Sequence, residues 1–115
     1  MASKSTNKFS CLIIGGGTLP IGCAEILLSG GHEICAIVSA DPQFRKWAND
    51  NNLPSLVPWD NLAEQIEKPF DYLFSIVNEH ILREDILQLP RKLAINYHDA
   101  PLPRYAGTHA TSWAL

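Results

Sequence analysis

An amide and an imidazole stand two residues apart in Asn96-Tyr97-His98, at the end of the apolar stretch Leu93-Ala94-Ile95, which reads as a buried strand. Alternate residues of a strand share a face, so the two side chains emerge together at its carboxyl end. In an open α/β sheet that is the end where ligands bind. An amide N–H aimed at a developing oxyanion is worth roughly 10²–10³ in rate. An imidazole with an unperturbed pKa near ~6.5 can stabilise the same charge or move a proton. Behind the pair comes a stiff loop: Pro101 and Pro103 fix φ and remove two backbone donors, and Gly107 permits a sharp exit into Thr108, a candidate helix N-cap. The competing structural account is that Asn96 and His98 only cap the strand and bind loop backbone. A metal centre is not indicated. Neighbours such as His98 and Asp99 point to opposite faces of a strand, and no two histidines stand four apart as a helical pair would.

The remaining elements must position that pair. Residues 9–14 form an apolar run ending in Gly15-Gly16-Gly17, and residues 20–29 carry apolar side chains at helical spacing up to Gly30-Gly31. A second strand is expected over 33–39. Asp41 reads as an N-cap with Pro42 in the first helical position, opening a helix to about residue 49 with Phe44 and Trp47 on one face. A short strand over 53–57, bounded by Pro54 and Pro58, belongs at a sheet edge. A short helix follows over 60–67, then a strand over 70–77 whose near-continuous apolar character suits cover on both faces. A helical turn or two over 82–89, a strand over 93–97 and the beginning of a helix over 108–115 complete the pattern. This alternation predicts an α/β fold, a Rossmann-like open and mainly parallel sheet with helices on both faces. Residues 1–8 read as a flexible polar tail. The pattern at 108–115 meets neither a C-cap nor a breaker, so the chain is expected to be the amino-terminal part of a larger protein.

The glycine turn invites a dinucleotide reading. Gly15 and Gly17 match the first two glycines of a Gly-x-Gly-x-x-Gly fingerprint, but Pro20 stands in the third place and Ser39 ends the second strand where an acidic residue is required. Cys11, Cys23 and Cys35 are too widely spaced for a Cys-x-x-Cys motif, and each lies in an apolar segment, so all three are expected to be buried packing residues.

Taken as a pattern, Asn96-x-His98-x-Ala100-x-Leu102-Pro103-x-Tyr105-x-Gly107 resembles the signature of the folate-dependent formyltransferases. It departs from it in Ala100, where many members carry Ser, and Ala106, where many carry Arg. The resemblance extends over residues 9–115. It implies a formyl donor, 10-formyltetrahydrofolate, an amine acceptor and no metal. It implies that Asn96 and His98 are catalytic, completed by an Asp that in the family lies some tens of residues further on, beyond Leu115. By the same resemblance His80, Ile81 and Leu82 hold the folate, and Gly16, Gly17 and Thr18 border the amine substrate. The bland alternatives are ordinary core for Ile81 and Leu82, and close strand-to-helix packing for the glycines. Within the family, the wording from Leu93 through Ala114 is most similar to the formyltransferase domains that open bacterial nonribosomal peptide and mixed peptide–polyketide synthetases. The acceptor there would be an aminoacyl group on a carrier-protein domain. Methionyl-tRNA and sugar-nucleotide amines are alternative acceptors. A 10-formyltetrahydrofolate hydrolase and a non-catalytic nucleotide-binding module are alternative functions.

A net charge of −3 gives no basic footprint, so no direct nucleic-acid partner is expected. No apolar run reaches the ~18 residues needed to span a bilayer, and no membrane partner is expected. The polar start Met1-Ala2-Ser3-Lys4-Ser5 lacks the apolar core of a secretory signal, which makes a cytoplasmic location the expectation.

Overall fold

A computed structural model describes residues 8–57, 61–78 and 82–97. Five strands, β1 (Ser10–Gly15), β2 (Glu33–Val38), β3 (Ser55–Leu56), β4 (Tyr72–Ile76) and β5 (Leu93–Tyr97), form one sheet in the order β3-β2-β1-β4-β5. Every pairing is parallel. The expected fold class is therefore the observed one. The proline-bounded strand is at an edge as anticipated, cut to two residues.

Helices cover both faces because each strand alternates its apolar side chains between two clusters. On one face α1 (Thr18–Ser29) and α2 (Pro42–Asp50) bring Ala24, Phe44 and Ala48 against Cys11, Ile13, Ile34, Ile37 and Ile76. On the other, α3 (Leu62–Gln65) and α4 (Glu84–Leu87) bring Leu62 and Ile86 against Leu12, Ile14, Ala36, Val38, Leu73 and Ala94. Burying a side chain such as Phe44 or Leu73, both fully enclosed, stabilises by about 1.5–3 kcal/mol. The two clusters, divided by one sheet, are the core.

Two local differences from the sequence reading have plain causes. Helix α1 begins at Thr18, not at Pro20. A proline in the first turn forfeits only an N–H that has no intrahelical partner, so the helix starts ahead of it. The cysteines also divide. Cys11 is fully buried, and burial pushes its thiol up to about 12. Cys23 and Cys35 are only half-buried, against the expectation for all three. The pairing of β1 with β2 steps from Cys11↔Ile34 to Leu12↔Ala36, which leaves Cys35 as the extra residue of a bulge. Its thiol is also raised, chiefly by burial, so neither Cys11 nor Cys35 is an activated nucleophile.

The amino ends of the strands are locked by Asp71. Its carboxylate accepts Ser10 N–H at 3.0 Å and pairs with Arg91 at 3.1 Å, while its own N–H donates to Ser10 Oγ at 3.1 Å. The Ser10 bond first, and the nearby Arg91 and Lys92 charges after it, hold this carboxyl below the ordinary range. The starts of β1 and β4 and the approach to β5 are thereby fixed together, leaving the opposite end to carry loops.

Candidate functional site

The strand order reverses direction between β1 and β4, and the crevice at the carboxyl ends of such a pair is where this class of sheet binds ligands. Gly15 closes β1 at that point. A Cβ placed on it would lie 2.1 Å from the carbonyl oxygen of Ile76, so only glycine lets the two strands come this close. Directly after β4, Val77 has φ 51°, in the left-handed region, and its N–H donates to Tyr97 O at 3.0 Å. A β-branched residue is strongly disfavoured there. Strain of this kind, of order 1–3 kcal/mol, clusters at functional positions. Nothing in the sequence marks Val77, because valine is an ordinary strand residue.

Asn96 is half-buried near the end of β5. Its register partner on β4 is Ser75, whose partner on β1 is Ile14, then Val38 on β2 and Leu56 on β3. The five residues make one row across the sheet. Ile14 and Val38 belong to the cluster under α3 and α4, and the alternation of β4 and β5 sets Ser75 and Asn96 on that same face. Ser75 is fully enclosed, and its hydroxyl has no hydrogen-bond partner among the described residues. It is the small polar residue in an otherwise apolar run, a signal that was present in the sequence and is easily read as filler.

The glycine turn is built differently from a phosphate cradle. Gly17, at φ 89°, is the N-cap of α1 and has no side chain to offer it. Asp41 supplies what is missing: its Oδ2 accepts Gly17 N–H at 3.0 Å and Phe44 N–H at 3.2 Å, so one carboxylate serves the amino ends of α1 and α2 together. Asp41 N–H in turn donates to Ser39 Oγ at 3.0 Å. The Gly17 bond first, then those from Phe44 and Gln43, hold the Asp41 carboxyl below its ordinary range against the opposing effect of burial. A phosphate approaching this turn meets a carboxylate on the donor it needs. The dinucleotide reading, already short of its third glycine, loses its anchor as well.

The candidate residues that the structure describes fall into three groups. Asn96 is at the ligand end of β5. Gly16, Gly17 and Thr18 lie at the mouth between β1 and α1, where Gly17 and Thr18 are exposed, Gly16 is half-buried, and the Gly17 N–H is already engaged. Leu82 is 4% exposed inside the cluster under α3 and α4, so its first role is core, whichever ligand it also borders. His98, His80, Ile81, the 101–107 loop and the expected helix over 108–115 lie outside the described residues. Among the described residues no group of three or more His, Cys, Asp or Glu could hold a metal ion, and no helix is long and apolar enough to cross a membrane.

No protein-family model matches the chain. A methionyl-tRNA formyltransferase of Alkaliphilus oremlandii (strain OhILAs) is 26% identical to it over 122 residues, an alignment that covers 90% of this chain and 39% of the relative. That likeness supports a formyltransferase-type domain. The chain spans 39% of the length of this curated relative. The fold described above suits the same kind of domain, with Asn96 carried to the ligand end of a parallel sheet.

Proposed function

We propose that residues 9–115 are the amino-terminal part of a folate-dependent formyltransferase domain, which moves a formyl group from 10-formyltetrahydrofolate to an amino group. The observation that carries this reading is the place of Asn96: half-buried, on β5 beside the switch-point strand β4, at the end of the sheet where ligands bind. The amine nitrogen attacks the formyl carbon, and the carbonyl electrons move onto its oxygen. Asn96 Nδ2–H donates to that oxyanion. His98, two positions along the chain, stabilises the same charge or accepts the proton that the amine gives up. Collapse of the intermediate breaks the bond from carbon to N10 of the folate, and the proton ends on that nitrogen. The carboxylate expected beyond Leu115 completes the set.

The folate is assigned to the segment after β4, with His80, Ile81 and Leu82 beside it, and the amine to the mouth at Gly16, Gly17 and Thr18. The acceptor is an aminoacyl group borne by a carrier-protein domain in peptide biosynthesis, and the enzyme is cytoplasmic. A second reading has support of its own. The relative's name identifies methionyl-tRNA as that protein's acceptor, and an acidic chain can bind tRNA if another part of the protein contributes the basic surface.

The test offers the full-length protein 10-formyltetrahydrofolate together with aminoacyl-pantetheine thioesters, methionyl-tRNA or a nucleotide-linked amino sugar, and follows N-formyl product by mass spectrometry. Formylation of one acceptor class, abolished in Asn96→Ala, is expected. Release of formate without any acceptor would assign a hydrolase instead. Failure to bind 10-formyltetrahydrofolate would overturn both.

A further inference from the structure

The proposed chemistry makes no use of Ser75, yet among the described residues its hydroxyl is, with that of Ser55 on the edge strand β3, one of two buried side-chain groups with no hydrogen-bond partner. The Ser75 hydroxyl is fully enclosed, although buried polar groups are paired in the great majority of cases and an exception needs a reason. Packing does not supply one, since an alanine would fill β4 at this position as well. The residue in register with it on the next strand is Asn96, on the same face. Neighbouring strands run about 4.7–4.9 Å apart, a separation that a serine hydroxyl and an asparagine amide can bridge by rotation of the longer side chain.

An asparagine that stabilises an oxyanion has an orientation problem. Its amide has a donor end and an acceptor end of nearly the same shape, and only the donor end serves. The amide is committed to the productive orientation when another donor holds its oxygen. Along the row that crosses the sheet, Leu56, Val38 and Ile14 offer no polar side-chain atom. Ser75 does.

We infer that Ser75 is a positioning residue for Asn96: when the formyl donor is bound, Ser75 Oγ–H donates to Asn96 Oδ1 and turns Nδ2–H toward the formyl oxygen. The inference rests on the formyl-transfer reading of Asn96. The hydroxyl has no other partner among the described residues, so formation of this hydrogen bond favours the orientation that catalysis needs. Ser75 touches neither substrate nor folate, and its effect passes through the asparagine.

The experiment uses the full-length protein as wild type, Ser75→Ala, Asn96→Ala and the double variant, with the acceptor that the wild type formylates. Ser75→Ala is expected to lower kcat by ~10-fold or more while KM for 10-formyltetrahydrofolate stays within ~2-fold, because orientation and not binding is lost. Its thermal midpoint should equal or exceed that of the wild type, since a buried unpaired hydroxyl has been removed. The double variant should be no slower than Asn96→Ala, because nothing is left to position. In nitrogen-edited spectra, the Asn96 side-chain amide signals, assigned by their absence in Asn96→Ala, should shift on addition of 10-formyltetrahydrofolate in the wild type and much less in Ser75→Ala. An active wild type with an equally active Ser75→Ala overturns the inference alone. So does a double variant slower than Asn96→Ala by the full single-variant factor. A wild type that formylates no acceptor and binds no folate overturns the formyl-transfer reading, and this inference with it.

Discussion

Replacing Asp41 perturbs the scaffold apart from the proposed chemistry, because this carboxylate holds the glycine turn and takes no part in formyl transfer. It accepts from Gly17 N–H and Phe44 N–H. Loss of an N-cap carboxylate costs about 0.5–2 kcal/mol, typically ~1. Gly17 is exposed, so water takes over its freed N–H and the second bond adds little more than its share of dipole attraction, about 0.3–1 kcal/mol. Asp41→Ala should therefore lower unfolding free energy by about 1–2 kcal/mol at neutral pH. Asp41→Asn keeps an acceptor oxygen and loses the charge, so roughly half of that loss is expected from the dipole contribution. The pH dependence has a definite sign. The folded carboxyl is depressed, first by the Gly17 bond and then by those of Phe44 and Gln43, so its charge stabilises fully above the unfolded value of ~3.9 and the contribution is lost as pH falls through the folded value. The gap between wild type and Asp41→Asn should be widest near neutrality and close in acid below that point. Urea unfolding followed by tryptophan fluorescence at a series of pH values measures it, and the Asp71 node titrates alike in both proteins. A gap that stays constant through the acid range would show that the charge at Asp41 is not what joins the two helices. A loss below ~0.3 kcal/mol in Asp41→Ala at neutral pH would show that the cap itself is idle.

The remaining predictions address the site and its scaffold. Asn96→Ala or His98→Ala in the full-length protein should reduce formyl transfer by at least ~10²-fold with the melting profile retained, and near-normal turnover in both would refute the catalytic assignment. Gly15→Ala forces a methyl group onto the Ile76 carbonyl, so a loss of at least ~1–3 kcal/mol or failure to fold is expected, and a native-like melt would refute the close approach of β1 to β4. Val77→Gly relieves a left-handed β-branched residue. The ~1–2 kcal/mol so recovered offsets most of what a valine-to-glycine change normally loses, so stability in denaturant within ~1 kcal/mol of the wild type is expected, and a larger loss would refute the strain at Val77. Leu82→Ala should cost about 2–5 kcal/mol as a core truncation. Calorimetry on the folded fraction then tells whether the folate site borders it, since affinity for 10-formyltetrahydrofolate falls only in that case.

What the amino-acid sequence disclosed and what it withheld follow from the range of the forces involved. Strand and helix positions were legible because apolar periodicity and local stops express them: Asp41 with Pro42 opened α2 where expected, and the prolines around residues 53–57 put β3 at the edge. The short-range pattern also carried Asn96 to the ligand end of β5. The structure adds features that depend on residues far apart in sequence. Asp41 reaches back across 24 positions to Gly17, a bond that no local propensity encodes, and it turns an apparent nucleotide fingerprint into a turn closed by its own anion. Cys35 was read as buried because its neighbours are apolar, and it is half-exposed because β2 carries one residue more than β1 needs. Val77 is hidden for the opposite reason: its type is right for a strand, and its backbone is bent by the requirement that β4 end beside β5. Ser75 was visible as a letter and had no meaning until register placed it beside Asn96. Two positions that break local rules, Val77 in its backbone and Ser75 in its unpaired hydroxyl, lie at the carboxyl end of β4, while a second unpaired hydroxyl, that of Ser55, is on the edge strand β3. A left-handed valine and an enclosed, unpaired hydroxyl two residues apart at one strand end are the pattern expected of a functional site held under constraint. That gathering depends only on backbone geometry and burial, so it supports a site at the end of β4 and β5 independently of any likeness to other proteins.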